Sequence, residues 1–518
     1  MPLPSRARHD TPEDAAADVA PARRFAPALV RFGGLAGSLL LAAVAWQHGA
    51  RSPWESTMTA ASVFAGREGV IAPLGWLVGI GLLITAWVAG LRVVPSARWA
   101  WVTAALWALP LLALPPLGSY DVHSYACQGY ALSAGLDPYG AGPQQVGCPW
   151  LDAVAPTWRD SPAPYGPVFL VVAAAAAKLG GSLTGAIAIL RGVAVAGVVL
   201  TGVCLPVLAR RCGVPTARAA WLALACPLVA VHLISGAHND ALMVGLAVAG
   251  LAVAVRIGEQ SRAPTAMPVA AGVLLGLAAG IKITAVVVLP FAVLVAVPPR
   301  ARPDADRADV GADDDADIGV LGRLAALVRP AVAMVGGAVA ALAAVSFASG
   351  LGLGWLANLA GSGASVQWTS LPTAVGMTAD LVGRAFGVSG DTVPVARGCG
   401  LVTLAMVLVA FWWRTLRTGP DPRRAVYGAG LALAATVVFG PVFHPWYATW
   451  PLAVLAASMH RGTRWLVVPC AVASALCLPD GYNLALATKA QGALAMTAGV
   501  LVLAVWAHRR DRGPARPG

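Results

Sequence analysis

A chain of 518 residues that is 58% hydrophobic and only 12% charged is not an ordinary soluble protein; soluble domains carry about twice that charged fraction. The net charge of +12 does not point to nucleic acid, because the arginines sit in short loops beside apolar runs, the pattern that orients membrane proteins with basic loops inside. What remains is an all-α polytopic membrane protein, since apolar runs of about twenty residues, enough to cross roughly 30 Å of hydrocarbon, recur from Val30 to Trp506.

Residues 1–27 mix Pro, Ala, Asp and Arg without apolar periodicity and read as an unstructured cytoplasmic tail rather than a signal peptide. The first spans are expected over 28–48, 70–91 and 99–117. Arg23, Arg24 and Arg31 precede the first, and Arg92 and Arg98 separate the second from the third. Placing both clusters inside puts the following loop, 118–185, outside. After it, Val168–Lys178 is apolar but short, whereas Ala186–Leu208 is a full span followed by Arg210, Arg211 and Arg218. That cluster falls inside only if the shorter run does not cross. Pro167–Lys178 is therefore expected as a juxtamembrane helix on the outer surface, opened by Pro167 and ended by Gly180-Gly181.

Further spans near 217–234, 239–257, 266–280, 284–298, 327–349, 398–416, 425–443, 446–459, 464–479 and 490–507 bring the expected total to about fourteen, with both termini cytoplasmic. A charged cytoplasmic linker, 299–326, divides an N-terminal part, 28–298, from a C-terminal part, 327–507; a basic tail, 508–518, follows. Asp313-Asp314-Asp315 in the linker reads as a solvated run rather than a metal cage. No Cys or His spacing marks a zinc site, no ligand motif supports a divalent metal, and no cofactor is implied. Cys127 and Cys148 share the outer loop, and their spacing leaves a bridge and two free thiols equally open.

With this topology, the ionisable and aromatic residues that are not arginine anchors gather on the outer face. Polar groups at membrane depth are costly and usually functional. Asp121 is the leading candidate. With Ser119 as cap, a helix from Tyr120 to Gly135 puts Asp121 in the first turn, where the dipole favours a carboxylate, and Tyr125 and Gln128 on the same face. Such a carboxylate can act as a general base on a sugar hydroxyl, or it can simply cap the helix. His123, Asp137, Tyr139, Trp158 and Tyr165 complete the loop's candidate substrate contacts. His238, Asn239 and Asp240 open a span from the outside. Asn239 and Asp240 suit sugar hydroxyls, although Asp240 can also be only a cap. Lys282 and Arg191 lie near outer span ends, suited to a lipid-linked phosphate or to snorkelling into headgroups. His444, Trp446 and Tyr447 form either an interfacial aromatic belt or further substrate contacts, with His444 a donor to phosphate or sugar.

Several motifs together are specific. Tyr120-Asp-Val-His-Ser-Tyr-Ala-Cys-Gln-Gly129, Gly135-Leu-Asp-Pro-Tyr139, Trp158 with Ser161-Pro-Ala-Pro-Tyr-Gly-Pro167, His238-Asn-Asp240 and His444-Pro-Trp-Tyr447 resemble the actinobacterial polyprenol-phosphomannose-dependent α-1,6-mannosyltransferases. These are GT-C membrane glycosyltransferases, and the similarity runs over most of residues 30–507. The resemblance implies a GT-C fold with juxtamembrane helices in a large first outer loop. It also implies a polyprenyl-phosphate mannose donor, a lipomannan-type α-1,6-mannan glycolipid acceptor, and inverting transfer at the outer face of the plasma membrane. The catalytic base carries over to Asp121. The chain departs from the simplest GT-C layout in having three expected spans before that loop and a single Asp there rather than an Asp-Asp or Asp-Glu pair. Two other readings are a GT-C transferase of another lipid-linked sugar, such as arabinose or glucose, and a lipid-linked sugar transporter or flippase. Transport fits less well, since no internal repeat is visible and the polar groups gather at one face.

Overall fold

The computed structural model describes residues 12–54, 71–260, 264–297, 320–358, 365–419 and 421–511. Among the described residues the only strand-like pairing is an isolated bridge between Cys477 and Asn483; the rest is helix and turn. Among the described residues seven helices are long and apolar enough to cross a bilayer: Ala26–His48, Ile71–Val93, Leu183–Arg211, Asp240–Gly258, Val320–Ala348, Val393–Arg417 and Lys489–Trp506. An eighth crossing is available if Thr216–Leu224 and Val229–Ser235, bent by 61°, form one broken span. Their exteriors expose Ile71, Leu321, Val332, Val402 and Leu501, side chains suited to lipid rather than water. The chain is a multi-pass helical membrane protein.

The expected fourteen do not occur as continuous spans, because proline and irregular turns interrupt several apolar runs. The 99–117 run holds only the helix Ala97–Ala108, which tightens into a 3-10 turn at Leu109–Leu111 with Pro110 inside it. The 284–298 run divides into a 3-10 segment, Ile283–Val288, and a short helix, Leu289–Val295. The 446–459 run divides into Pro445–Ala448 and Thr449–Ser458. At the N-terminus the deviation is opposite: the first helix begins at Pro12, inside the stretch expected to be unstructured. The acidic run of the linker lies outside the described residues.

At the centre stands Asp240–Gly258, buried along most of its surface. It crosses Leu183–Arg211 at two glycines: a Cβ on Gly197 would sit 2.4 Å from Ala241 O, and one on Gly245 would sit 2.5 Å from Gly197 O. Without water to squeeze out between helices in lipid, such close backbone contact is the main source of association.

The loop 118–185 is a packed unit resting on this centre. Its helix, Asp121–Ser133, lies against Pro167–Gly180, with Gly129 so close that a Cβ would meet Ala173 O at 2.1 Å. Pro167–Gly180 is about 21 Å long, short of the hydrocarbon thickness. It starts at the expected proline and stops where Gly181 turns left-handed at φ +62°. Cys127 and Cys148 form a disulfide, which settles the choice their spacing left open. Val154, Tyr130, Trp150 and Trp158 pack around it. Ahead of Asp121, Gly118 (φ +74°) donates its N–H to Pro479 O at 2.9 Å, tying the loop's entry to the C-terminal part.

The bridge closes a stretch with a sequence separation of 21 residues. Replacing Cys127 and Cys148 together by Ser is expected to cost roughly 3 kcal/mol, read as a lowered unfolding midpoint in detergent. An unchanged midpoint would show that packing alone holds the loop.

Candidate active site

Asp121 opens its helix much as its sequence context suggests. Ser119 Oγ accepts the Asp121 N–H at 3.0 Å, so the serine fixes the first turn and leaves the carboxylate to project outward. The side chain is 18% exposed and faces a cavity of about 300 Å³. Trp158, Tyr165, Lys282, His444, Trp446 and Tyr447, all singled out by sequence, line the same cavity. Burial raises the Asp121 carboxyl to about 6, against the downward pull of Lys282 and the Ser119 hydroxyl.

Lys282 stands where the helix Ala266–Ile281 ends and its own backbone turns extended (φ −145°, ψ 116°). The Gly166 N–H donates to Ile281 O at 3.2 Å, and a Cβ on Gly166 would sit 2.3 Å from Gly280 O. The exit of the loop 118–185 is thereby fastened to the Lys282 turn. The ammonium donates to both oxygens of Asp240, at 2.9 and 3.1 Å, and lies 4.5 Å from the Tyr447 ring centre and 5.2 Å from that of Trp450. Trp450 Nε1 donates to Asp240 Oδ1 at 2.6 Å. Asp240 is fully buried, and its carboxylate is occupied in fixing Lys282. It does not line the cavity, so the sugar-hydroxyl role expected for it is replaced by a bracing one.

A ring stack forms the next wall. His238 lies 3.9 Å from Trp446, and His444 lies 4.7 Å from Trp446, ring centre to ring centre. Burial pushes His238 well below its ordinary value and His444 down to about 3, so both imidazoles are neutral. His444 can donate one N–H but is not the cation a phosphate would prefer. His238 Nδ1 is 3.3 Å from the Tyr125 hydroxyl and 3.8 Å from Asp121 Oδ2. The preceding residue, Ala237, is a non-glycine at φ +52°, a costly conformation that the packing imposes to place His238.

Other expected contacts lie elsewhere. Arg191 donates to three carbonyls: Ser235 O at 3.0 Å, Leu112 O at 2.7 Å and Leu114 O at 2.6 Å. It borders a different cavity, together with His123, so the structure does not bring it to Lys282. His123 is itself buried and lowered to about 4, mainly by desolvation. Asp137 caps its own turn, with Oδ1 accepting the Tyr139 N–H at 2.8 Å. The Tyr139 hydroxyl donates to Tyr165 O at 2.9 Å, bracing the loop. Gln128 and Asn239 are buried off the cavity. Tyr125 is buried edge-on against Tyr165 and Phe169.

Sequence reasoning missed Trp450 and Asn358. Trp450 follows Trp446 by one helical turn, a spacing that could have been noticed. Asn358 comes from the distant C-terminal part and donates to Tyr139 O at 2.9 Å while lining the cavity; nothing local in the sequence marks it. Among the described residues no group of three His, Cys, Asp or Glu could hold a metal ion.

This arrangement can be compared with known proteins. The family model described as "Alpha-(1->6)-mannopyranosyltransferase, N-terminal domain" matches residues 31–298, more than half of the chain, and the "MptB C-terminal domain" model matches residues 372–510. The chain belongs to the α-(1→6)-mannopyranosyltransferase family. The Mycobacterium tuberculosis protein named alpha-(1->6)-mannopyranosyltransferase A is 35% identical over 394 residues, covering 73% of this chain and 69% of that protein. The Corynebacterium glutamicum alpha-(1->6)-mannopyranosyltransferase B is 30% identical over 412 residues, covering 74% of this chain and 65% of its own length. A Mycolicibacterium smegmatis protein, named as a probable alpha-(1->6)-mannopyranosyltransferase, is 32% identical over 450 residues, covering 80% and 76%. No solved structure matches the chain. Both family models include part of the cavity: Asp121, Trp158, Tyr165 and Lys282 fall in the first, and His444, Trp446, Tyr447 and Trp450 in the second.

Breaking the Lys282–Asp240 pair from one side should be worse than removing it whole. Lys282→Met leaves an uncompensated buried carboxylate and is expected to cost about 3–5 kcal/mol. Adding Asp240→Leu should restore much of the loss. A thermal-unfolding double-mutant cycle measures this, and additive losses would show that the pair is not coupled.

Proposed function

We propose that this protein is an inverting mannosyltransferase of the GT-C type. In this proposal it moves mannose from a polyprenyl-phosphate mannose donor to a lipomannan-type α-1,6-mannan glycolipid, at the outer face of the plasma membrane. The observation that carries the proposal is the cavity that brings a carboxylate, Asp121, and an ammonium, Lys282, together among aromatic rings, in a chain whose relatives are named as α-(1→6)-mannopyranosyltransferases.

The chemistry follows from the charges. Asp121 accepts the proton of an acceptor hydroxyl. The freed oxygen bonds to the anomeric carbon from the face opposite the phosphate, and the carbon–oxygen bond to the phosphate breaks. Inversion of a β-linked donor gives an α-linked product. Negative charge grows on the departing phosphate, and Lys282, the one cation among the described cavity-lining residues, is placed to stabilise it. Trp158, Tyr165, Trp446 and Tyr447 offer ring faces for sugar or for the first units of the lipid. His444, being neutral, serves as a hydrogen-bond donor. The disulfide in the outer loop supports an extracytoplasmic site, since such bonds persist in oxidising compartments.

Two measurements test this. In membranes supplied with polyprenyl-phosphate mannose and an α-1,6-mannoside acceptor, Asp121→Asn is expected to lower transfer by roughly 10²–10⁴-fold. Near-normal transfer by this variant would remove Asp121 as base. The base must be ionised to act, and its pKa is raised to about 6. Single-turnover rates should therefore be flat above that pH and fall about tenfold per unit below it. A flat profile down to the ordinary carboxylate range would contradict the assignment.

A further inference from the structure

A second polar cavity, of about 640 Å³, lies at the other end of the molecule. The helix Leu183–Arg211 measures the separation, since its 29 residues extend about 43 Å. At its start, Leu183 borders a cavity with His123, two residues from Asp121. Just past its end, Cys212 O accepts a hydrogen bond from His460 Nε2 at 2.7 Å, and His460 lines the far cavity together with Asp421, Arg423, Arg424, Tyr427 and Arg461.

The charges in this cavity do not balance. The one carboxylate in its lining is engaged: Asp421 Oδ1 accepts the Arg423 N–H at 2.9 Å, and Oδ2 lies 3.3 Å from Arg424 Nε. Arg424 also donates to Thr418 O at 3.1 Å. Among the described residues, the Arg423 and Arg461 guanidinium groups make no hydrogen bond or ion pair. Two planar, permanently charged donor forks therefore face one concavity beside a tyrosine hydroxyl, a donor set that matches a phosphate oxyanion. Trp465, 71% exposed, comes four residues after Arg461. It stands at the start of the short apolar helix Arg464–Ser474; exposed tryptophans gather at headgroup depth, and basic pockets between helix ends at that depth take acidic lipid headgroups.

We propose that this cavity binds a phosphate group, supplied by an anionic phospholipid headgroup in the leaflet opposite Asp121, with Arg423 and Arg461 as its ligands. Neither arginine touches the Asp121 cavity, so the site stands apart from the transfer reaction and does not depend on it.

The full chain is reconstituted in nanodiscs of phosphatidylcholine, with or without a minor fraction of cardiolipin. Retained cardiolipin is counted by native mass spectrometry after a delipidating wash, and the unfolding midpoint is followed in parallel. The wild type is expected to retain cardiolipin and melt higher with it. Arg423→Gln combined with Arg461→Gln should weaken retention by roughly tenfold or more. Arg92→Gln combined with Arg98→Gln, which removes the same charge elsewhere, should retain it. If the first double variant does not fold, Arg423→Lys with Arg461→Lys keeps the charge but loses the forks and should retain an intermediate amount. Equal retention by all variants would overturn the proposal, as would equal loss in both glutamine pairs, which would indicate general surface charge. Inorganic phosphate in pure phosphatidylcholine discs that raised the midpoint as much as cardiolipin would overturn the lipid assignment.

Discussion

The buried pair between Lys282 and Asp240 is the interaction on which the site depends. Asp240 begins the central helix with no exposure to solvent, so its charge must be matched within the protein. Lys282 reaches it only because the helix before it stops and the backbone turns extended at that residue. Trp450 supplies another hydrogen bond from the C-terminal part. Three distant segments therefore meet at one carboxylate, and the cavity beside it takes its shape from them. The Gly166–Ile281 hydrogen bond then sets the loop 118–185, and with it Asp121, against the same turn.

The electrostatics follow. Around Asp121 the histidines are neutral, and Lys282, the one cation among the described cavity-lining residues, partly offsets the cost of burial. The result is a carboxyl held to about 6: ionised near neutrality yet more basic than an exposed aspartate. That balance suits a general base better than a cap, which would gain from a lower value. Lys282 has a similar double character. Asp240 anchors it, and the remaining face of its ammonium lies at the cavity among Tyr447, Trp450 and Tyr165. A preorganised donor of this kind needs no reorganisation when negative charge develops on a leaving phosphate.

Much of the candidate site was legible in the sequence because it is polar where the chain is otherwise apolar. Asp121, Trp158, Tyr165, Lys282, His444, Trp446 and Tyr447 stood out on that contrast, and they share one cavity. Contrast alone could not separate residues that face the cavity from residues that support it. Asp240 and Arg191 are as polar as Lys282, but one braces the lysine and the other clamps the carbonyls of Leu112, Leu114 and Ser235. Span counting was limited by another physical fact. Hydropathy registers apolar runs but not the breaks within them, and Lys282 sits at one such break while Pro445 opens another. Asn358 was invisible because its role comes wholly from tertiary placement.

The most direct measurement is the equilibrium affinity for polyprenyl-phosphate mannose in two variants, each first shown to be folded by its unfolding midpoint. Asp121→Asn should bind the donor about as tightly as the wild type, because the proposed base acts on the acceptor. Lys282→Gln combined with Asp240→Asn removes the ion pair without leaving a lone buried charge, and it should bind roughly tenfold more weakly or worse, the loss of one charged phosphate contact. Undiminished binding by the double variant would contradict the shared donor site that joins Lys282 to Asp121.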